Sequence, residues 1–305
     1  MIIWGVILNK YILNRNEIEE FEMDLVGHCN LECPLCTRNY QHANHMLKNN
    51  TRPLKEIIKQ LDTFPNLKRT FCAGAISEPT LHPEFLDYLR YLKSRNIYIE
   101  LFTNGSTHNP DFWREVANIL DDNDQIHFTI CGSSQKLHEK YRKNSKLSKV
   151  LENADAVREV KGIDYCQFIR FVYNQDDEKN VKKFPFTNHY TVDTEGVRRI
   201  NEKNRKVPDG VKPLPNRDKL IKQLFKNIPT SGEIICKSFE DKKIFIDQFG
   251  NISACYIHKE FQPNAIFTGD IFDYSDILSF KYPDCFLCEK RTRTFIDKMG
   301  LDFVC

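Results

Sequence analysis

The fold is decided by the stretch Gly27-His28-Cys29-Asn30-Leu31-Glu32-Cys33-Pro34-Leu35-Cys36. Three and then two residues separate its cysteines, so one short loop can aim three sulfurs at a single point. Thiolate-bound iron–sulfur clusters and some zinc sites require this geometry. A [4Fe-4S] cluster commonly takes four cysteines, so three from this loop would leave one iron open to a small molecule. A structural zinc knuckle is the alternative that the same ten residues allow.

The spacing, with the apolar Leu35 before the last cysteine, resembles that of the radical S-adenosylmethionine (radical SAM) superfamily. The resemblance implies a cluster held by Cys29, Cys33 and Cys36, whose open iron binds the amino and carboxylate groups of SAM. It also implies reductive cleavage of SAM to a 5′-deoxyadenosyl radical, which abstracts hydrogen from an unactivated C–H bond. Leu35 stands at the position that packs on the adenine in relatives, although an ordinary core residue is equally apolar.

Composition allows one large domain or two modest ones, since 41% of the 305 residues are hydrophobic. The formal net charge of +2 gives no general reason to expect nucleic acid or an anionic membrane as a partner. The eleven cysteines are odd in number and several form C-x2-C pairs, which favours metal sites in a reducing cytoplasm over a secreted disulfide framework. The apolar opening, Met1 to Leu8, lacks a basic region and a cleavage site, which predicts a packed N-terminal extension. No later run reaches the roughly 20 apolar residues of a bilayer span.

Strand-like and helix-like stretches alternate from residue 21 onward. The predicted strands are 21–26, 68–73, 97–102, 125–131 and 165–173, with a weaker one ending near residue 192. The predicted helices begin near residues 53 and 83, span 110–120, and follow the fourth strand at about 150–157. Repeated strand–helix units predict an α/β fold with a parallel sheet, either doubly wound or closed into a barrel. In barrels the loops after the strands carry the chemistry, and each unusual motif here lies in such a loop.

The loop after the second strand contains Gly74-Ala75-Ile76-Ser77-Glu78-Pro79. It resembles the superfamily's Gly-Gly-Glu-Pro segment, whose backbone and carboxylate hold the SAM amino group, with Ser77 in place of the second glycine. After the third strand, Thr103-Asn104-Gly105 resembles the motif near the methionyl and ribose part of SAM, although Asn-Gly is also an ordinary turn. The resemblance implies SAM contacts from Ser77, Glu78, Thr103 and Asn104. Taken alone, Glu78 also suits an acid beside a helix that begins at a proline.

Later in the chain, Thr129 and Arg142 match groups that contact the SAM carboxylate in peptide-modifying and dehydrogenase members. A guanidinium fork suits a carboxylate geometrically, although a lone arginine on a helix is often a solvated surface residue. The segment from Ile126 to Asn174 carries a weaker likeness to tungsten-cofactor oxidoreductase maturases. The superfamily likeness covers about residues 20–185 and implies a partial (β/α)6 TIM-type barrel, open on one side for substrate.

A second cysteine set follows a polar stretch that contains several prolines. Cys236 and Cys255 flank residues 244–252, which predict a β-hairpin with a glycine in its turn, and Cys285 and Cys288 form a C-x2-C pair. The arrangement resembles the Twitch domain, the shortened relative of the SPASM extension, and implies one auxiliary [4Fe-4S] cluster in a small C-terminal α+β domain built on that hairpin. A structural zinc site with four cysteine ligands has the same spacing. Three further cysteines are predicted to be small buried residues in or at the ends of strands: Cys72, Cys131 and Cys166.

The predicted organisation has four parts: an N-terminal extension (1–20), a radical SAM core (21–195), a linker (196–230) and an auxiliary-cluster domain (231–305). The resemblance implies a cytoplasmic enzyme with SAM and two [4Fe-4S] clusters, which oxidises, cross-links or matures a peptide or protein side chain and takes electrons from a flavodoxin or ferredoxin. Two alternatives stay open. One is a dehydrogenase of a small alcohol or sugar-like molecule, and the other is a non-catalytic zinc-binding module. No motif marks a catalytic acid or base.

Overall fold

The computed structural model describes residues 11–36, 38, 48–193, 208–211, 236–255 and 266–274. The strands are β1 (Ile12–Asn14), β2 (Glu20–Met23), β3 (Arg69–Cys72), β4 (Tyr98–Thr103), β5 (Gln125–Ile130), β6 (Tyr165–Arg170), β7 (Asn188–Asp193), β8 (Lys243–Ile246), β9 (Ile252–Ser253) and β10 (Ile271–Asp273). The α-helices are α1 (Leu54–Leu61), α2 (Phe85–Ser94), α3 (Pro110–Ile119), α4 (Gln135–Tyr141), α5 (Leu147–Lys161), α6 (Glu178–Val181) and α7 (Lys237–Glu240).

The main sheet has the strand order β7-β6-β5-β4-β3-β2-β8-β9. Strands β2 to β7 are all parallel, and at least one helix lies between each of them and the next. This confirms the predicted α/β fold with repeated strand–helix units. Among the described strands none joins β7 to β9, so the sheet is open, as a partial barrel requires.

The hydrophobic core lies between the sheet and its helices. Alternate residues of β2 and β4, such as Phe21, Met23, Ile99 and Leu101, are almost entirely buried in this core. Each of these strands therefore turns every second side chain toward the helices, because strand side chains alternate between the two faces.

Helix α3 shows how local sequence fixes an element of this layer. Pro110 occupies its first turn, and the side chain of the preceding Asn109 accepts a hydrogen bond from Phe112 N at 3.1 Å. The first amide groups of a helix have no partner inside it. An asparagine cap accepts a hydrogen bond from one of them, and an initial proline carries no N–H group, so both favour a helix start. The helix then buries Trp113 and Val116 against the core.

The opposite face of the sheet is polar at its centre. Glu22 of β2 and Asp24, directly after this strand, alternate with the core residues and remain 7% and 2% exposed. Lys243 of β8 pairs with Glu22 at 3.5 Å and lies 4.2 Å above the ring of Phe71. Charged side chains are therefore buried on the inner face of the open barrel, where a substrate cavity is expected.

The predicted hairpin at residues 244–252 is confirmed. Strand β9 pairs antiparallel with β8, and Gly250 takes a φ of 87° in the turn between them. A side chain at Gly250 would require an unfavourable left-handed backbone and would approach the Arg52 guanidinium to 2.9 Å. The carboxylate of Asp247 holds the turn by accepting from the backbone amides of Phe249 and Asn251, both at 2.9 Å.

The hairpin does not stand apart from the core sheet. Strand β8 pairs in parallel with β2, with Met23 opposite Ile246, and so extends the sheet beyond the first strand of the predicted core. Periodicity along the sequence did not indicate this pairing. The limits of the four predicted parts stay predictions, and most of the predicted linker lies outside the described residues.

The first described residues pack against a late part of the chain. Strand β1 pairs antiparallel with β10, which places Leu13 opposite Phe272. Arg15 pairs with Asp270 at 2.8 Å and lies 4.6 Å above the ring of Phe64. Within the described ranges, no helix combines the length and the apolar character needed to cross a bilayer.

Candidate functional site

The cysteine loop follows β2 at the carboxyl edge of the sheet. Cys33 is 7% exposed, and the Cys36 amide donates to the Cys33 carbonyl oxygen at 3.1 Å, which closes a tight turn. The Leu31 amide donates to the Cys29 sulfur at 3.4 Å. All three cysteines belong to a small apolar group that we call the rim cluster. Its members are Cys29, Leu31, Cys33, Leu35, Cys36, Cys131, Tyr141, Ile169, Phe171, Tyr173 and Val211.

The sulfurs share one electrostatic environment. Burial raises the pKa of Cys29 to about 11, and the negative charge of Glu78 adds to the shift. Burial also raises the pKa of Cys33 to about 12; Arg142 opposes this shift, whereas Cys36 and Cys29 add to it. Among the described residues, no three cysteine, histidine or acidic side chains already stand close enough to hold a metal ion. A cluster held by this loop would bind the thiols in their deprotonated form.

Arg142 lies directly after α4, and its guanidinium faces the cysteine loop. Burial opposes its positive charge, but the thiols of Cys131 and Cys33 more than offset this and raise its pKa. Its Nε is shielded from water and has no hydrogen-bond partner among the described residues. An unsatisfied buried donor is costly, and a carboxylate is the group that a guanidinium fork binds best. The donor set thus fits the carboxylate of SAM beside a three-cysteine iron site.

Glu78 connects three of the loops at this edge of the sheet. It is 3% exposed, and its carboxylate accepts from the hydroxyls of Thr80 and Thr103 at 2.8 Å and from the Asn104 amide at 2.9 Å. Burial raises its pKa, although these donors oppose the shift. Its own backbone amide donates to the His28 carbonyl oxygen at 3.1 Å, next to the cysteine loop. The structure therefore brings Glu78, Thr103 and Asn104 together with the cysteine loop, as expected.

Ser77 is held by an acid that the sequence reading missed. Its hydroxyl donates to Asp24 Oδ1 at 2.9 Å, and the Ile76 amide donates to the same oxygen at 3.2 Å. A Cβ on Gly74, whose φ is 61°, would approach the Ser77 carbonyl oxygen to 2.6 Å, so this loop is closely folded. The serine in place of the second glycine thus supplies a hydroxyl that anchors the loop to β2.

We expect the variant Asp24→Asn to be more stable than the wild type, with a difference that grows with pH. Burial raises the pKa of Asp24 to about 7, and the nearby Glu22 and Asp247 add to the shift. Between about pH 4 and pH 7, the Asp24 carboxyl therefore holds a proton in the folded chain but not in the unfolded chain. The free energy of unfolding falls as the pH rises through that window. Asparagine keeps an acceptor oxygen for Ile76 and Ser77 but carries no charge, which removes a penalty of a few kcal/mol above pH 7.

Denaturant unfolding of the metal-free protein at pH 5 and pH 8 measures this difference. The variant Asp176→Asn, at an exposed position, is the matched control. Its difference in unfolding free energy from the wild type should be the same at both pH values. An equal stability gain for Asp24→Asn at both pH values would contradict the assignment.

The two remaining predicted SAM contacts, Leu35 and Thr129, lie at different distances along the chain from the cysteine loop. Leu35 is 3% exposed in the rim cluster, next to the cysteine loop. Thr129 lies on the inner face of β5, and its hydroxyl donates to Gln167 Oε1 at 3.3 Å. Among the described contacts, Thr129 is linked to this strand neighbour rather than to Arg142. Direct contact of these side chains with SAM stays a prediction.

Two of the predicted auxiliary ligands lie within the described residues. Cys236 and Cys255 are both partly buried, on the two sides of the hairpin. Burial raises the pKa of Tyr274 well above its usual value, and the thiols of Cys236 and Cys255 add to the shift. Cys285 and Cys288 lie outside the described residues.

Sequence reasoning also missed part of the role of Cys131. The predicted burial is confirmed for Cys72, Cys131 and Cys166, which are 2%, 0% and 0% exposed. Cys131 is, however, also a member of the rim cluster and hydrogen-bonds the Arg142 side chain. Cys131 comes one residue after β5, at the edge of the sheet that carries the motifs, and this position could have indicated a place in the site.

Comparison with known proteins identifies the family. The family model described as the radical SAM superfamily matches residues 23–184, more than half of the chain. The tungsten-containing aldehyde ferredoxin oxidoreductase cofactor-modifying protein of Pyrococcus furiosus is 30% identical over 97 residues, which cover 32% of this chain. That match spans only 27% of the relative's own length.

Solved structures agree on the fold. SuiB of Streptococcus suis, bound to the precursor peptide SuiA, superimposes with a TM-score of 0.56 at 13% identity, over 89% of this chain and 64% of SuiB. The enzyme anSMEcpe with bound S-adenosylmethionine gives a TM-score of 0.56 at 15% identity, over 82% of this chain and 74% of that protein. Identities this low show the fold alone. The family match and the fold together establish that this chain belongs to the radical SAM superfamily and is an enzyme.

Proposed function

We propose that this enzyme abstracts hydrogen from a side chain of a peptide or protein and uses an auxiliary [4Fe-4S] cluster to complete an oxidation, cross-link or maturation. The observation that carries the proposal is the convergence of the cysteine loop, Glu78 and Arg142 at the carboxyl edge of one open parallel sheet. A zinc knuckle has no use for a guanidinium whose shielded Nε lacks a partner within the described ranges.

A [4Fe-4S] cluster with bound SAM supplies one electron that splits SAM into methionine and a 5′-deoxyadenosyl radical. In this proposal Cys29, Cys33 and Cys36 hold the cluster, and the guanidinium of Arg142 binds the SAM carboxylate. Glu78 and the backbone near Ser77 bind the SAM amino group. The apolar side chains of the rim cluster exclude water, which protects a reactive intermediate from side reactions.

The inner face of the barrel offers a polar wall for the substrate. Gln167 donates to the Tyr190 hydroxyl at 3.0 Å, and a 2.9 Å hydrogen bond joins that hydroxyl to His127 Nδ1. Burial lowers the pKa of His127 to about 3, so this imidazole is neutral at pH 7, and the Glu100 carboxylate lies 3.5 Å from its Nε2. A neutral imidazole, a side-chain amide and a phenol hydroxyl can all hydrogen-bond an amide or hydroxyl of a peptide. SuiB binds a precursor peptide and anSMEcpe binds a peptide in their solved complexes, which favours a peptide here as well.

Dehydrogenation of a small alcohol or sugar-like molecule is the second candidate, and the same hydrogen-bonding side chains of His127, Gln167 and Tyr190 support it. Transfer of deuterium into 5′-deoxyadenosine from side-chain-deuterated peptides, and its absence with deuterated small alcohols, would favour the peptide reading. The reverse pattern would favour the dehydrogenase. A reducing compartment such as the cytoplasm, and a flavodoxin or ferredoxin as electron donor, belong to the same proposal.

Anaerobic reconstitution with iron and sulfide tests the core of the proposal. With SAM and dithionite, the protein should release 5′-deoxyadenosine and should hold about eight iron atoms per chain, from two four-iron clusters. A colourless protein with two zinc ions that releases no 5′-deoxyadenosine would support the zinc-binding module instead.

The double variant Cys236→Ala/Cys255→Ala tests the auxiliary cluster separately. It should lose about four iron atoms per chain but still cleave SAM, because its ligands are distinct from the cysteine loop. Iron analysis and the 5′-deoxyadenosine assay measure both effects, with Cys166→Ala as the control for loss of an unrelated cysteine. An unchanged iron content would refute the auxiliary site.

A further inference from the structure

The side chain of Asn104 is held in one orientation. Its Oδ1 accepts from the Ser106 amide at 2.9 Å and from the Ser106 hydroxyl at 2.6 Å. Its Nδ2 lies 2.9 Å from Asn30 Oδ1 and 3.8 Å from the sulfur of Cys29. The opposite orientation would set the amide oxygen against another acceptor and remove both Ser106 contacts, so the bonding network assigns the N–H groups to the cysteine side.

The backbone fixes this side chain in place as well. Asn104 is 4% exposed, and its amide donates to the Glu78 carboxylate at 2.9 Å. The same residue therefore joins the acid of the second loop to a cysteine of the first. The side chain of Asn104, like the Leu31 amide at 3.4 Å, directs an N–H group at the sulfur of Cys29.

We propose that the side-chain amide of Asn104 donates a hydrogen bond to the Cys29 thiolate and thereby raises the reduction potential of the SAM-cleaving cluster. This inference rests on the proposed function, in which Cys29 is a cluster ligand. Reduction adds negative charge that spreads onto the ligand sulfurs, and an N–H group directed at a sulfur stabilises the reduced form more than the oxidised form. Asn104 thus acts on electron entry, in addition to the SAM contact that its motif predicts.

The variant Asn104→Leu removes the N–H donor and keeps a side chain of similar size. Loss of one hydrogen bond of about 1 kcal/mol should reduce the ratio of reduced to oxidised cluster about fivefold at a fixed potential, a negative shift of about 40 mV. An EPR-monitored redox titration of the reconstituted protein without SAM measures the shift. Ser106→Ala is the matched control: it disturbs the same network on the Oδ1 side, leaves the N–H donor, and should not move the potential.

A second measurement works on the wild-type protein. With ¹⁵N-labelled asparagine, pulsed EPR of the reduced cluster should show a ¹⁵N hyperfine coupling that Ser106→Ala retains and Asn104→Leu loses. Absence of the coupling from the wild type, or an equal potential in wild type and Asn104→Leu, overturns the inference while leaving the proposed function intact. A wild-type protein that assembles no [4Fe-4S] cluster overturns the proposed function, and this inference with it.

Discussion

Anaerobically reconstituted protein with Cys29, Cys33 and Cys36 all changed to alanine will release no 5′-deoxyadenosine from SAM and dithionite. Its iron content will fall by about four atoms per chain, because a four-iron cluster needs thiolate ligands that alanine cannot supply. Cys33 and Cys36 lie on one tight turn, and in the proposed site they share one centre with Cys29. Product analysis by liquid chromatography and iron determination on the same sample check both effects.

Cys166→Ala is the matched control for this experiment. Cys166 is fully buried in β6, within the hydrophobic core, and has no place in the proposed site. It should keep both the iron and the release of 5′-deoxyadenosine. If the triple variant released as much 5′-deoxyadenosine as the wild type, the cysteine loop would have no role in SAM cleavage.

Changing Arg142 to leucine will weaken SAM binding by about 30-fold or more, since removal of one partner from a buried charged pair costs at least about 2 kcal/mol. The arginine is placed by the end of α4, where its amide donates to the His138 carbonyl oxygen at 2.9 Å. Isothermal titration of SAM into the reconstituted protein under anaerobic conditions measures the dissociation constant.

The neighbouring Lys143→Ala serves as the control, because that side chain is exposed and one residue farther along the chain. Arg142→Lys should recover only part of the affinity, since an ammonium group lacks the planar fork that pairs with a carboxylate. Unchanged affinity in Arg142→Leu, with the cluster assembled, would show that another group binds the SAM carboxylate.

Much of the site was predictable because each motif follows a strand. Parallel strands end at one edge of the sheet, so the strand–helix alternation alone placed the cysteine loop, Glu78 and Thr103 together. The alternation also predicted the six parallel strands, and the glycine between two apolar runs predicted the hairpin. These are local patterns, and strand and turn preferences act over a few residues.

Other features depend on contacts between distant parts of the chain. Asp24 gave no sign in the sequence that it would bind Ser77, because the two are brought together only when β2 and the loop after β3 lie side by side. The pairing of β8 with β2 is likewise invisible to periodicity, since a strand's pattern shows which face is buried but not which strand is its neighbour.

The sequence by itself determined the chemistry available to this protein: a three-cysteine loop, an acid and an arginine after successive strands, and hence membership of the radical SAM superfamily. The tertiary structure decided how these groups are held. It turned the Asn104 side-chain amide toward Cys29, left the Arg142 Nε without a partner in the part of the chain that the structure describes, and buried Asp24 behind the loop of Ser77. Residue spacing fixes which side chains leave which strand, whereas hydrogen-bond partners and burial depend on the packing of several loops at once.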